Sequence, residues 1–121
     1  MVDFTKIAAG YIETFNETDA VRRKQLIDNL FATDVTYVDP RAAIEGQENL
    51  DAMIAGVHTE FPDWSFELTG TVDGHHDQAR FTWSLGPAGE EPPVLGFDVV
   101  NLDAHGAITA VHGFFDRIPT A

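Results

Sequence analysis

Leu30-Phe31-Ala32-Thr33-Asp34-Val35-Thr36-Tyr37-Val38-Asp39-Pro40 is the stretch in which this chain turns from helix to strand. From Asp34 to Asp39 the residues alternate with the two-residue period of a strand, placing Val35, Tyr37 and Asp39 on one face. Pro40 has no N–H to give to a ladder and ends the strand. Two residues of that face are apolar or aromatic and the third is a carboxylate, an acid looking toward a core.

On the N-terminal side, Phe4, Ile7, Ala8, Tyr11, Ile12 and Phe15 recur at three- and four-residue spacing, which predicts one helix over residues 4–16 with Tyr11 inside its buried stripe. A second helix is expected from about Asp19 to Phe31, with Val21, Ile27, Leu30 and Phe31 inward and Arg22, Arg23 and Lys24 outward. On the C-terminal side, Leu50, Met53, Ile54, Val57 and Phe61 give a third helix from about Gln47 to Phe61, stopped by Pro62. The remainder is strand material cut by turns. The expected strands are Trp64–Val72, Gln78–Leu85, Val94–Leu102 and Ala107–Arg117. The turns between them are Asp73–Asp77, Gly86–Pro93 and Asp103–Gly106. Helices first and hairpin-linked strands afterwards predict one α+β domain over residues 1–121, its helices on one face of a strongly curved mixed or antiparallel sheet that encloses a cone-shaped pocket.

Composition narrows the function. Seven basic against twenty acidic residues give a net charge of −13, a field that repels phosphate backbones and anionic lipid, so neither nucleic-acid nor membrane partners are expected. With no cysteine, thiolate metal sites and cysteine nucleophiles are excluded. No apolar run approaches the roughly 20 residues that span a bilayer, and a cytoplasmic location is expected. The crowded turn containing Asp73, His75, His76 and Asp77 is read as a solvated hairpin tip, and no metal or other cofactor is expected.

Three polar residues lie on apolar faces: Tyr11 in the first helix, Asp39 before Pro40, and Asp98 between Phe97 and Val99-Val100. A phenol and two carboxyls at the wall of one dry cavity would have strongly shifted acidities, a basis for proton-transfer catalysis. Among its apolar neighbours Asp98 is expected to be held protonated as a donor. Asp39, at a wetter strand end, is expected to stay charged.

Three motifs carry a resemblance over essentially the whole chain. They are Tyr11-x4-Asn16-x2-Asp19, the stretch from Leu30 to Pro40, and Phe97-Asp98-Val99 followed by Asp103-Ala104-His105-Gly106-Ala107-Ile108. The chain resembles the nuclear-transport-factor-2-like (NTF2-like), or SnoaL-like, superfamily, and within it the ketosteroid isomerases. The resemblance implies a cofactor-independent isomerase acting on a hydrophobic small-molecule ketone. Asp39 would be the general base, and Tyr11 with Asp98 would form the oxyanion hole. It turns Val111 and Phe115 toward the cavity. Trp64, Trp83, Val100 and Arg41 complete the expected substrate contacts, and Arg41 suits an anionic or polar ligand. Tyr37 is the one tyrosine besides Tyr11, so the tyrosine network of some isomerases is not expected. Phe97 and Phe114 would lie on the outer sheet face and there make a homodimer. A SnoaL-like polyketide cyclase and a non-catalytic ligand-binding protein are the alternative functions.

Overall fold

The computed structural model describes residues 2–119. The first helix, α1 (Phe4–Asn16), is capped by Asp3, whose carboxylate accepts from the Lys6 amide at 3.0 Å, and it buries Ala8, Tyr11, Thr14 and Phe15. The second, α2 (Ala20–Leu30), is capped in the same way by Asp19. Its inner face differs from the expected one. Val21 is 70% exposed, whereas Arg23 is buried and pairs with Asp51 at 2.6 Å while donating to the Glu17 carbonyl at 2.9 Å. A charge tolerates burial when its donors are met, and Asp51 meets this one from the third helix, α3 (Gln47–Glu60).

The strands are β1 (Phe31–Asp39), β2 (Ala42–Glu45), β3 (Trp64–His75), β4 (Gln78–Pro87), β5 (Val94–Leu102) and β6 (Ile108–Arg117). Their order is β2-β1-β6-β5-β4-β3, with β1 parallel to β6 and the other pairs antiparallel. Segment 42–45 pairs with β1 from Thr36↔Glu45 to Asp39↔Ala42, so it is a strand absent from those expected. The ladder of β3 and β4 also continues to His75↔Gln78, and most of the expected turn at Asp73–Asp77 is strand.

The expected strongly curved cone is corrected. The sheet is open and mixed, its two rims β2 and β3 lie at opposite ends of the strand order, and it does not close on itself. The pocket is bounded by one sheet face together with α1 and α3. The core lies between these layers, centred on Phe15, Ile27, Val35, Leu50, Ile54, Phe81, Val100, Ile108 and Val111. At the β3 rim, Asn16 takes the place of a further strand. Its amide nitrogen donates to the Phe66 carbonyl at 2.8 Å and its oxygen accepts from the Phe66 N–H at 2.7 Å. That clamp seats Phe66 under α1. Among the described residues no helix is long and apolar enough to cross a membrane.

Candidate active site

Alternation along β5 sends Gly96, Asp98, Val100 and Leu102 to the helix-covered face, and Asp98 is 2% exposed. The ladder sets Asp98 beside Gly113 on β6, and β6 runs beside β1, with Val38 opposite His112. Asp98, Gly113 and Asp39 therefore form one row across three strands. Glycine is what this row requires. A Cβ at position 113 would stand 2.8 Å from Asp98 Oδ1 and 3.1 Å from the Asp39 Cβ. In the adjoining row Gly96 lies between Trp83 and Phe115, and a Cβ there would strike the Trp83 ring at 2.6 Å. That gap lets the indole lie flat across β5 and meet Phe115 edge-on at 6.0 Å.

From above, α1 lowers Tyr11 onto this floor. Its ring stacks on Phe15 at 4.4 Å and meets Phe81 edge-on at 5.0 Å. Burial, and next the charge of Asp98, hold the Tyr11 phenol pKa well above its ordinary value, so it remains a proton donor. Burial also pushes the Asp98 carboxyl up, to about 6, against the opposing pull of the Tyr11 hydroxyl and the Trp83 N–H. These donors bear on Asp98 without closing well-aligned bonds, because Asp98 Oδ1 and Trp83 Nε1 have no hydrogen-bond partner among the described residues.

Asp39 is held quite differently. Its Oδ1 accepts from the backbone N–H groups of Arg41 at 2.8 Å and Ala42 at 2.9 Å, which shapes the tight turn between β1 and β2. Its Oδ2 accepts from the Tyr37 hydroxyl at 2.5 Å, a length typical of a hydroxyl bonded to a charged oxygen. Tyr37 is buried, and that burial raises its phenol well above the ordinary value, with Asp98 and Asp39 adding to the effect.

Tyr11, Tyr37, Asp39 and Asp98 all border one cavity of about 540 Å³, within the size range of small-molecule sites. Its walls include Phe15, Met53, Val57, Phe66, Leu85 and Phe115. At the rim Arg41 donates from Nη2 to both carboxylate oxygens of Glu60 at 2.7 and 2.6 Å and lies 5.8 Å over the Phe61 ring. Of the expected substrate contacts, Trp83, Phe115 and Arg41 line the cavity, whereas Trp64, Val100 and Val111 do not. Val100 and Val111 share the inner face but are sealed in the core. Trp64 stacks on Phe61 at 4.6 Å and borders a separate, more polar hollow with Arg23 and His58. His58 is engaged there with the Phe15 carbonyl at 2.7 Å. Among the described residues no group of three or more His, Asp or Glu side chains is placed to hold a metal ion.

Sequence reasoning missed Tyr37, Gly113 and Glu60. The parity of Tyr37 and Asp39, two residues apart on one strand, signalled the first. Gly113 and Glu60 acquire their roles through pairing across strands and between elements, for which the sequence carries no local sign.

The same architecture occurs in solved structures. A SnoaL-like family protein from Agrobacterium tumefaciens, provisionally described as an isomerase, is 39% identical, with a TM-score of 0.90 over 96% of this chain and 99% of that one. An NTF2-like protein of unknown function from Exiguobacterium sp. 255-15 is 22% identical, with a TM-score of 0.72 over 91% and 98% of the two chains. A provisionally described SnoaL-like polyketide cyclase from Jannaschia sp. CCS1 is 16% identical, with a TM-score of 0.70 over 96% and 90%. These last two likenesses establish the fold alone. No protein of curated function matches the chain. A family model for SnoaL-like domains matches residues 8–111, most of the helices and sheet just described, and the chain belongs to that SnoaL-like family.

Proposed function

We propose that this protein is a ketosteroid-isomerase-like enzyme that removes a proton next to the ketone of a hydrophobic small molecule and returns it at another carbon, with no metal or organic cofactor. One observation carries the reading: a buried phenol and two carboxyls of unlike surroundings border a single apolar cavity. Asp39 is the general base. Tyr11 and protonated Asp98 stabilise the dienolate oxygen, as a neutral aspartate in an apolar site does in the ketosteroid isomerases. Trp83 and Phe115 supply flat apolar contacts, and Arg41, its charge met by Glu60, edges the mouth. The 39% identity to the Agrobacterium protein supports an isomerase.

The deciding assay is conversion of a β,γ-unsaturated steroid ketone to its conjugated isomer, followed by enone absorbance. Asp39→Ala lowers turnover by about 10³-fold if Asp39 is the base, and an unchanged rate removes that assignment. One further reading has its own support. Both Asp39 oxygens are already engaged, by Tyr37 and by two amides, which favours a non-catalytic ligand-binding pocket. Tight binding of a phenolic dienolate mimic, with no turnover across a ketone panel, establishes that reading instead.

The outer sheet face supports a homodimer. Phe97 and Phe114 stack there at 4.9 Å, with Phe114 and Val38 exposed beside them.

A further inference from the structure

Resting on that isomerase reading, we propose that Tyr37 and Asp39 form a proton-relay pair, in which Asp39 takes the proton from the carbon next to the ketone and Tyr37 delivers a different proton to the remote carbon. A carboxylate that serves two carbons alone must swing between them. Oδ1 of Asp39 is tied to the Arg41 and Ala42 amides, inside a turn fixed by Pro40, so swinging would break the bonds that shape the β1–β2 connection. Oδ2 keeps one lone pair free of the Tyr37 hydroxyl, and that lone pair is the accepting site. The phenol bonded to the same oxygen also borders the cavity, displaced from Asp39 by the length of a hydrogen bond. It supplies a second position for proton delivery without movement of the carboxylate.

The step balances. The C–H bond next to the ketone breaks, its electron pair enters the dienolate, and the proton bonds to Oδ2 of Asp39. The dienolate pair then forms a C–H bond at the remote carbon with the proton of the Tyr37 hydroxyl, and the proton on Oδ2 passes to the phenolic oxygen. Asp39 ends charged and Tyr37 ends neutral, as both began. Burial disfavours a free phenolate at Tyr37, so its proton must be replaced as it leaves, and the 2.5 Å contact provides the replacement.

Substrate deuterated at the abstracted position tests the relay under single-turnover conditions. Wild type is expected to place protium at the remote carbon. Tyr37→Phe, which removes one oxygen atom, is expected to lower kcat by at least about tenfold with KM little changed and to raise transfer of deuterium to the remote carbon. Full deuterium transfer by wild type overturns the relay and needs no variant. Equal label loss in wild type and Tyr37→Phe also overturns it, since solvent exchange then accounts for the protium. Absence of turnover by wild type on β,γ-unsaturated ketones instead overturns the isomerase reading and the relay with it.

Discussion

Asp39 and Asp98 flank the same glycine, yet the fold treats them in opposite ways. The end of β1 surrounds Asp39 with donors, two amides and a phenol, at a turn open to solvent. The middle of β5 buries Asp98 among largely apolar side chains and, among the described residues, leaves one of its oxygens without a partner. The dry setting drives Asp98 toward its neutral form. In the proposed reaction, position alone would make one of these identical groups the proton acceptor and the other a proton donor.

The sharpest way to break this contrast is Asp98→Asn. The folded-state value of about 6 lies above the unfolded one of about 3.9, so the folded protein holds an extra proton between roughly pH 4 and 6. The stability contribution of Asp98 is therefore greatest below pH 4, falls as pH rises through that window, and stays low above it. Two units correspond to about 3 kcal/mol, taken as an order of magnitude. Denaturation of wild type and variant from pH 4 to 8 is expected to show the variant gaining by up to that amount toward high pH. In the same window kcat/KM of wild type is expected to fall above about pH 6 as the donor ionises. A parallel pair of stability curves would remove the distinction between the two acids.

Gly113→Ala attacks the shared neighbour. The new methyl must displace Asp98 Oδ1 and would press on the Asp39 Cβ, at a cost of about 1–3 kcal/mol for overpacking. Turnover is expected to fall further than stability explains, because both carboxyls shift together. Tyr11→Phe removes a donor from the dry side only, and about tenfold in kcat is expected, the scale of one such hydrogen bond. Arg41→Gln is the mildest change. Arg41 and Glu60 are half-exposed, so stability should move by less than about 1 kcal/mol. A large effect on kcat would place the rim guanidinium in the chemistry.

The periodic parts of this molecule were legible in its sequence. The stripe around Tyr11, the span Val94–Leu102 and the isolation of Asp98 among apolar neighbours follow from local pattern, and the structure has these elements. What escaped depends on partners far along the chain. Arg23 reads as a surface residue until Asp51 meets it across 28 positions. Ala42–Glu45 is too short and too small in its side chains to announce a strand before β1 lies beside it. Sheet curvature is absent from strand patterns altogether, so the order of elements supported helices on a sheet but not the expected cone. Val100 and Val111 show the same limit within the site. The resemblance gives their face correctly, but only the helices packed above decide that they are sealed off and Phe115 is not.

The Asn16 clamp bears on how this protein meets others. A long rim strand ordinarily offers free main-chain groups as a template on which foreign chains can polymerise. Here one side-chain amide occupies the Phe66 part of that template, and the opposite rim, Ala42–Glu45, is only four residues long. Growth by strand addition is thereby discouraged at both margins. Replacing Asn16 with leucine is expected to yield fibrils or soluble aggregates sooner than any change inside the cavity.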